Sequence, residues 1–278
     1  MKRILLSAMF IVGVIAAATA GLNGTLGTFS DTEVSTGNTL ATGAIDLKID
    51  NTSYYDGAVS TSTSWSTPKD LKPGDYFFNF RDLKPGDWGE DTISFHVNTN
   101  NSWACMYIKK TKNDDVTCNT PEQKDDPTCN EPDSDIYDGD LAQAIQIIFW
   151  ADDGDNVLEQ DEYSKIFKQG HIIDFTANSW WTVADKSNNV WTGGSNTPLA
   201  GGVTKYIGKA WCFGTMDLSN LPKQDGGNKG RNPTQPGMGV KCDGSHVNNK
   251  SQTDLLNLDV KFYATQQKNS PNFSCSNL

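Results

Sequence analysis

The chain has 278 residues, a formal charge of −11 at pH 7 and an aromatic complement of 8 Trp, 8 Tyr and 12 Phe. That length accommodates one large all-β domain or two small ones around a substantial core. The acidic balance argues against a nucleic-acid backbone or an anionic lipid surface as partner and favours divalent cations.

Met1-Lys2-Arg3 supplies a positive start, residues 4–17 an apolar run, and Ala18-Thr19-Ala20 a small-x-small cleavage site. Together they read as a secretory signal peptide, residues 1–20. The apolar run is shorter than the ~20 residues needed to span a bilayer, so no membrane anchor is expected once it is cleaved. Loss of Lys2 and Arg3 with it takes the formal charge from −11 to −13. Residues 21–29 follow, Gly-rich and uncharged, with Leu22 and Leu26 on one face of an extended segment and Thr25 and Phe29 on the other. They read either as a disordered N-terminus or as a donor strand without a partner in its own domain, suited to the open sheet edge of another copy.

Residues 30–278 read as a single all-β domain of the sandwich type with little helix. Strands are expected at residues 43–49, 88–98, 103–109, 144–150, 171–175, 205–213 and 257–264, from alternating or β-branched runs between turn signals. Residues 160–167 are the one helix candidate, and the continuous apolar run of 141–150 could be misread as another. Two copies of Asp-Leu-Lys-Pro-Gly-Asp, at residues 70–75 and 82–87, place Pro and Gly where a type II turn needs them. An imperfect repeat, residues 114–122 against 125–133, is an inserted polar loop, and residues 219–240 form a second long loop rich in Gly, Pro and Asn.

Six cysteines in an exported chain imply three disulfides. Sequence alone allows 15 connectivities. Cys212 with Cys242 is the leading pair because it closes the long loop, with Cys118–Cys129 and Cys105–Cys275 as the remaining assignments. Sequons at Asn23, Asn51, Asn100, Asn249 and Asn272 are expected at the surface wherever they carry glycans.

The strongest chemical signal follows the apolar run Ile145-Gln146-Ile147-Ile148-Phe149-Trp150. Asp152, Asp153, Asp155, Asn156, Glu159, Asp161 and Glu162 could converge oxygen donors on a hard cation such as Ca²⁺, with Gly154 permitting a sharp turn. The spacing is not that of an EF-hand, and a solvated acidic turn is the competing reading. Asp133, Asp135, Asp138 and Asp140 make a second acidic cluster. The histidines, His96, His171 and His246, are scattered, and no His-Glu-x-x-His, Cys-x-x-Cys or Gly-x-Ser-x-Gly pattern occurs, so nothing points to catalysis. Trp180-Trp181 and Trp191 would serve as a sugar platform if the chain were instead a monomeric calcium-dependent surface or carbohydrate-binding module.

Thr28-Phe29-Ser30-Asp31-Thr32-Glu33, then Ser35-Thr36-Gly37-Asn38-Thr39 and Gly43-Ala44-Ile45-Asp46-Leu47, resemble the opening of the TasA/camelysin family. The second Leu-Lys-Pro-Gly-Asp followed by Trp88-Gly89, and the run at 252–275, resemble that family's pre-strand turn and closing strand. The resemblance implies a jelly-roll β-sandwich and a structural subunit of an extracellular filament: a biofilm fibre, pilus or cannula-like tube whose partners are further copies of itself. Some members carry a metallopeptidase label, for which no residues are found here.

Overall fold

The computed structural model describes residues 26–31, 45–130, 135–175, 179–225 and 230–278. The expected signal peptide, Leu22, Asn23, Thr25 and Asp133 lie outside them. In chain order the first strands are β1 (Leu26–Asp31), β2 (Leu47–Tyr55), β3 (Ala58–Val59), β4 (Trp65–Lys69), β5 (Asn79–Arg81), β6 (Trp88–Val97) and β7 (Ser102–Asp115). A helix α1 (Thr120–Asp125) and a single helical turn α2 (Leu141–Ala144) lead into β8 (Ile145–Asp152), β9 (Ile166–His171), β10 (Trp181–Ala184), β11 (Val203–Phe213), β12 (Thr215–Asp217), β13 (Lys241–Asp243) and β14 (Asp254–Gln266).

These strands make a five-stranded sheet in the order β10-β7-β14-β1-β5, a seven-stranded sheet in the order β3-β2-β6-β11-β8-β9 with β4 on β2, and a small β12-β13 hairpin. Every pairing is antiparallel except β1 with β14. The two large sheets share one core, where Phe95 of β6 meets Phe262 of β14 edge to face at 5.1 Å. Along β14 the alternation is strict: Leu256, Leu258, Val260 and Phe262 are buried, while the residues between them are half-exposed. By contrast β8 is buried on both faces. Its other side carries a second cluster of Ile148, Trp150, Leu158, Ala210 and Val240, which explains why its apolar run is continuous.

Both Lys-Pro-Gly-Asp turns form as expected. Gly74 and Gly86 have φ of +101° and +98°, and the Asp75 and Asp87 amides donate to the Lys72 and Lys84 carbonyls at 3.0 and 2.9 Å. Each closing aspartate then accepts from the amide of its lysine, at 3.0 and 2.8 Å. Disulfides join Cys105–Cys275, Cys118–Cys129 and Cys212–Cys242, matching the pairs read from the sequence.

Several expectations are corrected. Residues 160–167 are no helix: Tyr163–Lys165 make one 3-10 turn and β9 begins at Ile166. Of residues 171–175 only His171, the last residue of β9, is in a strand, because Ile172–Asp174 coil into another 3-10 turn. The inserted loop contains a helix, α1, started by a capping box in which the Glu122 amide donates to Asn119 Oδ1 at 3.1 Å and the Asn119 amide donates to Glu122 Oε2 at 3.3 Å. The N-terminal segment has a partner within its own chain: β1 pairs in parallel with β14, Phe29 opposite Leu258, and antiparallel with β5, Leu26 opposite Arg81. Finally, Asn51 is wholly buried and donates to the Thr63 carbonyl at 2.7 Å, so this sequon is not at the surface, whereas Asn100, Asn249 and Asn272 are exposed.

Candidate metal centre

The end of β8 delivers the acidic turn to the margin of the second apolar cluster, beneath the loop closed by Cys212–Cys242. Trp150 fixes the turn's first residue, its indole Nε1 donating to Asp152 Oδ1 at 3.0 Å. Asp152 Oδ2 then collects the amides of Gly154 at 3.0 Å and Asn156 at 3.3 Å, which folds the following residues back over it. Gly154 carries a φ of +111° and lies where a Cβ would meet the Tyr206 ring at 2.9 Å, so only glycine fits. Asn156 also sits at positive φ, +65°.

The consequence is a pocket of acceptors with too few donors. Asp152, Asp155, Asn156, Glu159 and Glu162 are buried, with Asp153 half-buried. Asp153 Oδ1, Asp155 Oδ2, Glu159 Oε2 and Glu162 Oε1 find no hydrogen-bond partner, and neither atom of the Asn156 amide finds one. Buried acceptors of this kind are costly unless something positive fills the space between them. Two triads form, Asp152/Asp153/Glu162 and Asp153/Asp155/Asp225, and within each one ligand atom per residue lies within 4.8 Å of the others. Ligands at ~2.4 Å from one calcium ion are at most ~4.8 Å apart, so each triad has the span of one ion and Asp153 is common to both. Asp161 is exposed and takes no part.

Electrostatics point the same way. Burial, the largest cause in each case, together with the neighbouring carboxylates pushes Asp155 up to about 6, Asp152 and Glu159 to about 7 and Glu162 to about 9. Burial raises Asp153 too. Glu90, buried on β6 and accepting the Val240 amide at 3.0 Å, is raised well above the usual range. Two cations offset part of this among the described residues: Arg231 reaches Glu159 at 2.8 Å and Asp225 at 3.5 Å, and the charge of Lys165 pulls Asp153 and Glu162 downward. An all-oxygen, strongly anionic set fits a hard divalent cation, and calcium, which tolerates irregular geometry, better than one demanding a fixed octahedron.

Asp225 and Arg231 carry no local signal in the sequence. They stand about 70 positions from the turn they face and arrive there because the 212–242 loop folds over it, with the Gln160 amide donating to the Pro222 carbonyl at 3.0 Å and Gln224 Nε2 donating to Asp153 Oδ2 at 3.4 Å. Of the second acidic cluster, whose calcium reading is the weaker one, Asp135, Asp138 and Asp140 are described and make separate hydrogen bonds. Asp135 accepts from the Tyr137 amide and Asp138 from the Asp115 amide, while Asp140 Oδ1 accepts from the side-chain Nε2 of Gln143 at 3.2 Å.

No histidine joins a potential ligand group among the described residues. Trp181 packs against Phe149 and Phe175, and Trp191 packs against Phe95 while its indole donates to the Tyr206 carbonyl at 2.7 Å. Both serve the core, and Trp180 is half-buried against Tyr107 at 5.3 Å. No protein-family model matches the chain, and a search of curated proteins finds no match.

Proposed function

We propose that this protein is a secreted structural subunit that polymerises head to tail into an extracellular filament, each copy lending its N-terminal segment as a strand to the next. Its two-sheet core would be a jelly-roll β-sandwich, and the acidic turn would hold calcium that stiffens the outer loop. The observation that carries the reading is the position of β1. It lies between β14 and β5 as the parallel neighbour of a 13-residue closing strand, and only residues 32–46 connect it to β2 in the other sheet. A linker of 15 residues spans at most about 50 Å, enough for a segment to leave its own sheet for a neighbour's.

The same backbone groups of β14 and β5 accept this segment from either source, so self-pairing and exchange compete on nearly equal contacts. A head-to-tail contact of this kind does not close on itself, and it yields filaments rather than dimers. Three disulfides support an extracytoplasmic setting for such a subunit.

Negative-stain microscopy of the mature chain and of a variant lacking residues 21–29 tests the proposal. The mature chain is expected to form filaments with calcium present. The truncated chain is expected to stay monomeric and to bind a synthetic peptide of residues 21–31. Filaments from the truncated chain, or none from the mature chain across calcium and concentration series, would overturn it.

A further inference from the structure

A second group of carboxylates lies at the far end of the five-stranded sheet, away from the acidic turn. Asp115 ends β7, Glu122 belongs to α1 and Asp254 opens β14, and one ligand atom from each lies within 4.8 Å of the others. Glu122 and Asp254 are fully buried. Their local hydrogen bonds use only half of their oxygens. Asp254 Oδ2 accepts the amides of Asp140 at 2.6 Å and Leu141 at 2.8 Å, and Glu122 Oε2 accepts from the Thr253 hydroxyl at 2.9 Å. Asp254 Oδ1, Glu122 Oε1 and Asp115 Oδ1 accept from no donor group, and the Asp115 and Asp254 carboxyls, which lie close together, can bond to each other only by sharing a proton.

Among the described residues no lysine, arginine or histidine forms an ion pair with them. On β7, Lys112 pairs with Asp114 at 2.7 Å, and the charge of Lys250 acts on Asp140. Cys118 and Cys129 also approach Glu122, but they are joined as a disulfide and offer no thiolate. Three inward-facing carboxylates without a counter-charge require either shared protons or a bound cation.

We infer that Asp115, Glu122 and Asp254 form a second calcium site, which ties the inserted segment 116–140 to the beginning of the closing strand. The oxygen-only donor set selects a hard cation, and water or carbonyl oxygens complete the six to eight positions that calcium takes. Bound there, the ion joins the end of β7, α1 and β14, and through the second oxygen of Asp254 it also holds the start of α2. The Cys118–Cys129 disulfide fixes the insertion to itself, and the ion fixes it to the sheet.

The test separates this site from the acidic turn. A mature chain carrying Asp153→Asn, Asp155→Asn and Glu162→Gln is titrated with calcium and examined by native mass spectrometry. It is expected to keep one tightly bound ion, and adding Glu122→Gln and Asp254→Asn, both of which preserve the hydrogen bonds described, is expected to remove it. A folded triple variant without bound calcium, or an unchanged ion count after the two further substitutions, would overturn the inference. Should a variant fail to fold, hydrogen exchange on the unmodified chain decides: calcium is expected to slow exchange across 116–125 and 135–140 at least tenfold relative to chelator. Equal exchange in the two conditions refutes the site.

Discussion

Lys209 and Asp91 are cross-strand partners at the centre of the seven-stranded sheet, their charged groups 2.5 Å apart and their side chains 1% and 0% exposed. The ammonium also donates to the Phe77 carbonyl at 2.9 Å and stands 3.2 Å from the centre of the Phe78 ring. Asp91 in turn accepts from Ser53 at 2.9 Å and Asn51 at 3.2 Å. The pair therefore fastens the Phe77-Phe78 segment, which follows the first Lys-Pro-Gly-Asp turn, to three strands at once. Burial pulls Lys209 down to about 8 against the opposing pull of Asp91. Removing one partner strands the other in a dry interior, so Lys209→Met is expected to cost about 3–5 kcal/mol in urea denaturation. Adding Asp91→Asn, which keeps hydrogen-bonding capacity without the charge, is expected to recover more than half of that loss. A single variant within 1 kcal/mol of the parent, on the order of an exposed ion pair, would contradict this account.

The same network predicts glycan occupancy. Asn51 cannot present its amide to a transferase while that nitrogen donates to Thr63 and Asp91. Glycopeptide mapping of the secreted protein is expected to find Asn51 unmodified, with any occupancy among the described sequons confined to Asn100, Asn249 and Asn272. A glycan on Asn51 of the folded protein would show that this part of β2 opens.

Much of the framework was legible because period-two burial leaves a direct trace, as in β14, and because a Pro-Gly pair demands a turn whatever surrounds it. The acidic turn was legible for a related reason: one short segment supplies most of its carboxylates. What sequence could not reveal is what distant segments contribute. Asp225 reaches Asp153 only through the fold of a disulfide-closed loop, and Asp115 meets Asp254 only because β7 pairs with β14. Asn51 misled because a sequon is defined by three residues, while its burial is set by the strands on either side.

The acidic turn predicts an unusual pH response without calcium. Asp155, Asp152, Glu159 and Glu162 titrate at about 6, 7, 7 and 9 in the folded chain, against roughly 4 when unfolded. Between those limits the folded state binds more protons than the unfolded state, so stability falls as pH rises. In chelator the melting temperature is expected to drop steadily from pH 5 to pH 9, by about 2–4 °C for each kcal/mol lost. Calcium needs the deprotonated ligands, so its affinity rises over the same window and the decline is expected to vanish at saturation. A flat melting profile in chelator would show that these carboxylates are hydrated in solution.

Asn156 separates a metal ligand from a structural amide. Both polar atoms of its buried side chain lack partners and its backbone holds a φ of +65°, so by the usual rules it is a liability of about 1–3 kcal/mol. Asn156→Gly removes the orphaned amide and relaxes the backbone. Without calcium this variant is expected to be as stable as the parent or more so, while its calcium affinity falls about tenfold, the equivalent of ~1.4 kcal/mol. A loss of stability in chelator with affinity unchanged would assign the amide to the fold alone.

The Cys212–Cys242 disulfide should matter to the ion as well as to the chain. It closes a 30-residue separation that contains both Asp225 and Arg231, and losing it is expected to cost roughly 3 to 4 kcal/mol in the chain-entropy model. Because that loop brings a carboxylate to the acidic turn, Cys212→Ala with Cys242→Ala is also expected to weaken calcium binding there. Cys105→Ala with Cys275→Ala makes the control, since that bridge ties the C-terminal turn to β7 on the other sheet. It should lower the melting temperature without changing affinity at the turn. Isothermal titration of the two variants compares them directly, and equal affinities would mean that the turn holds its ion without help from the loop.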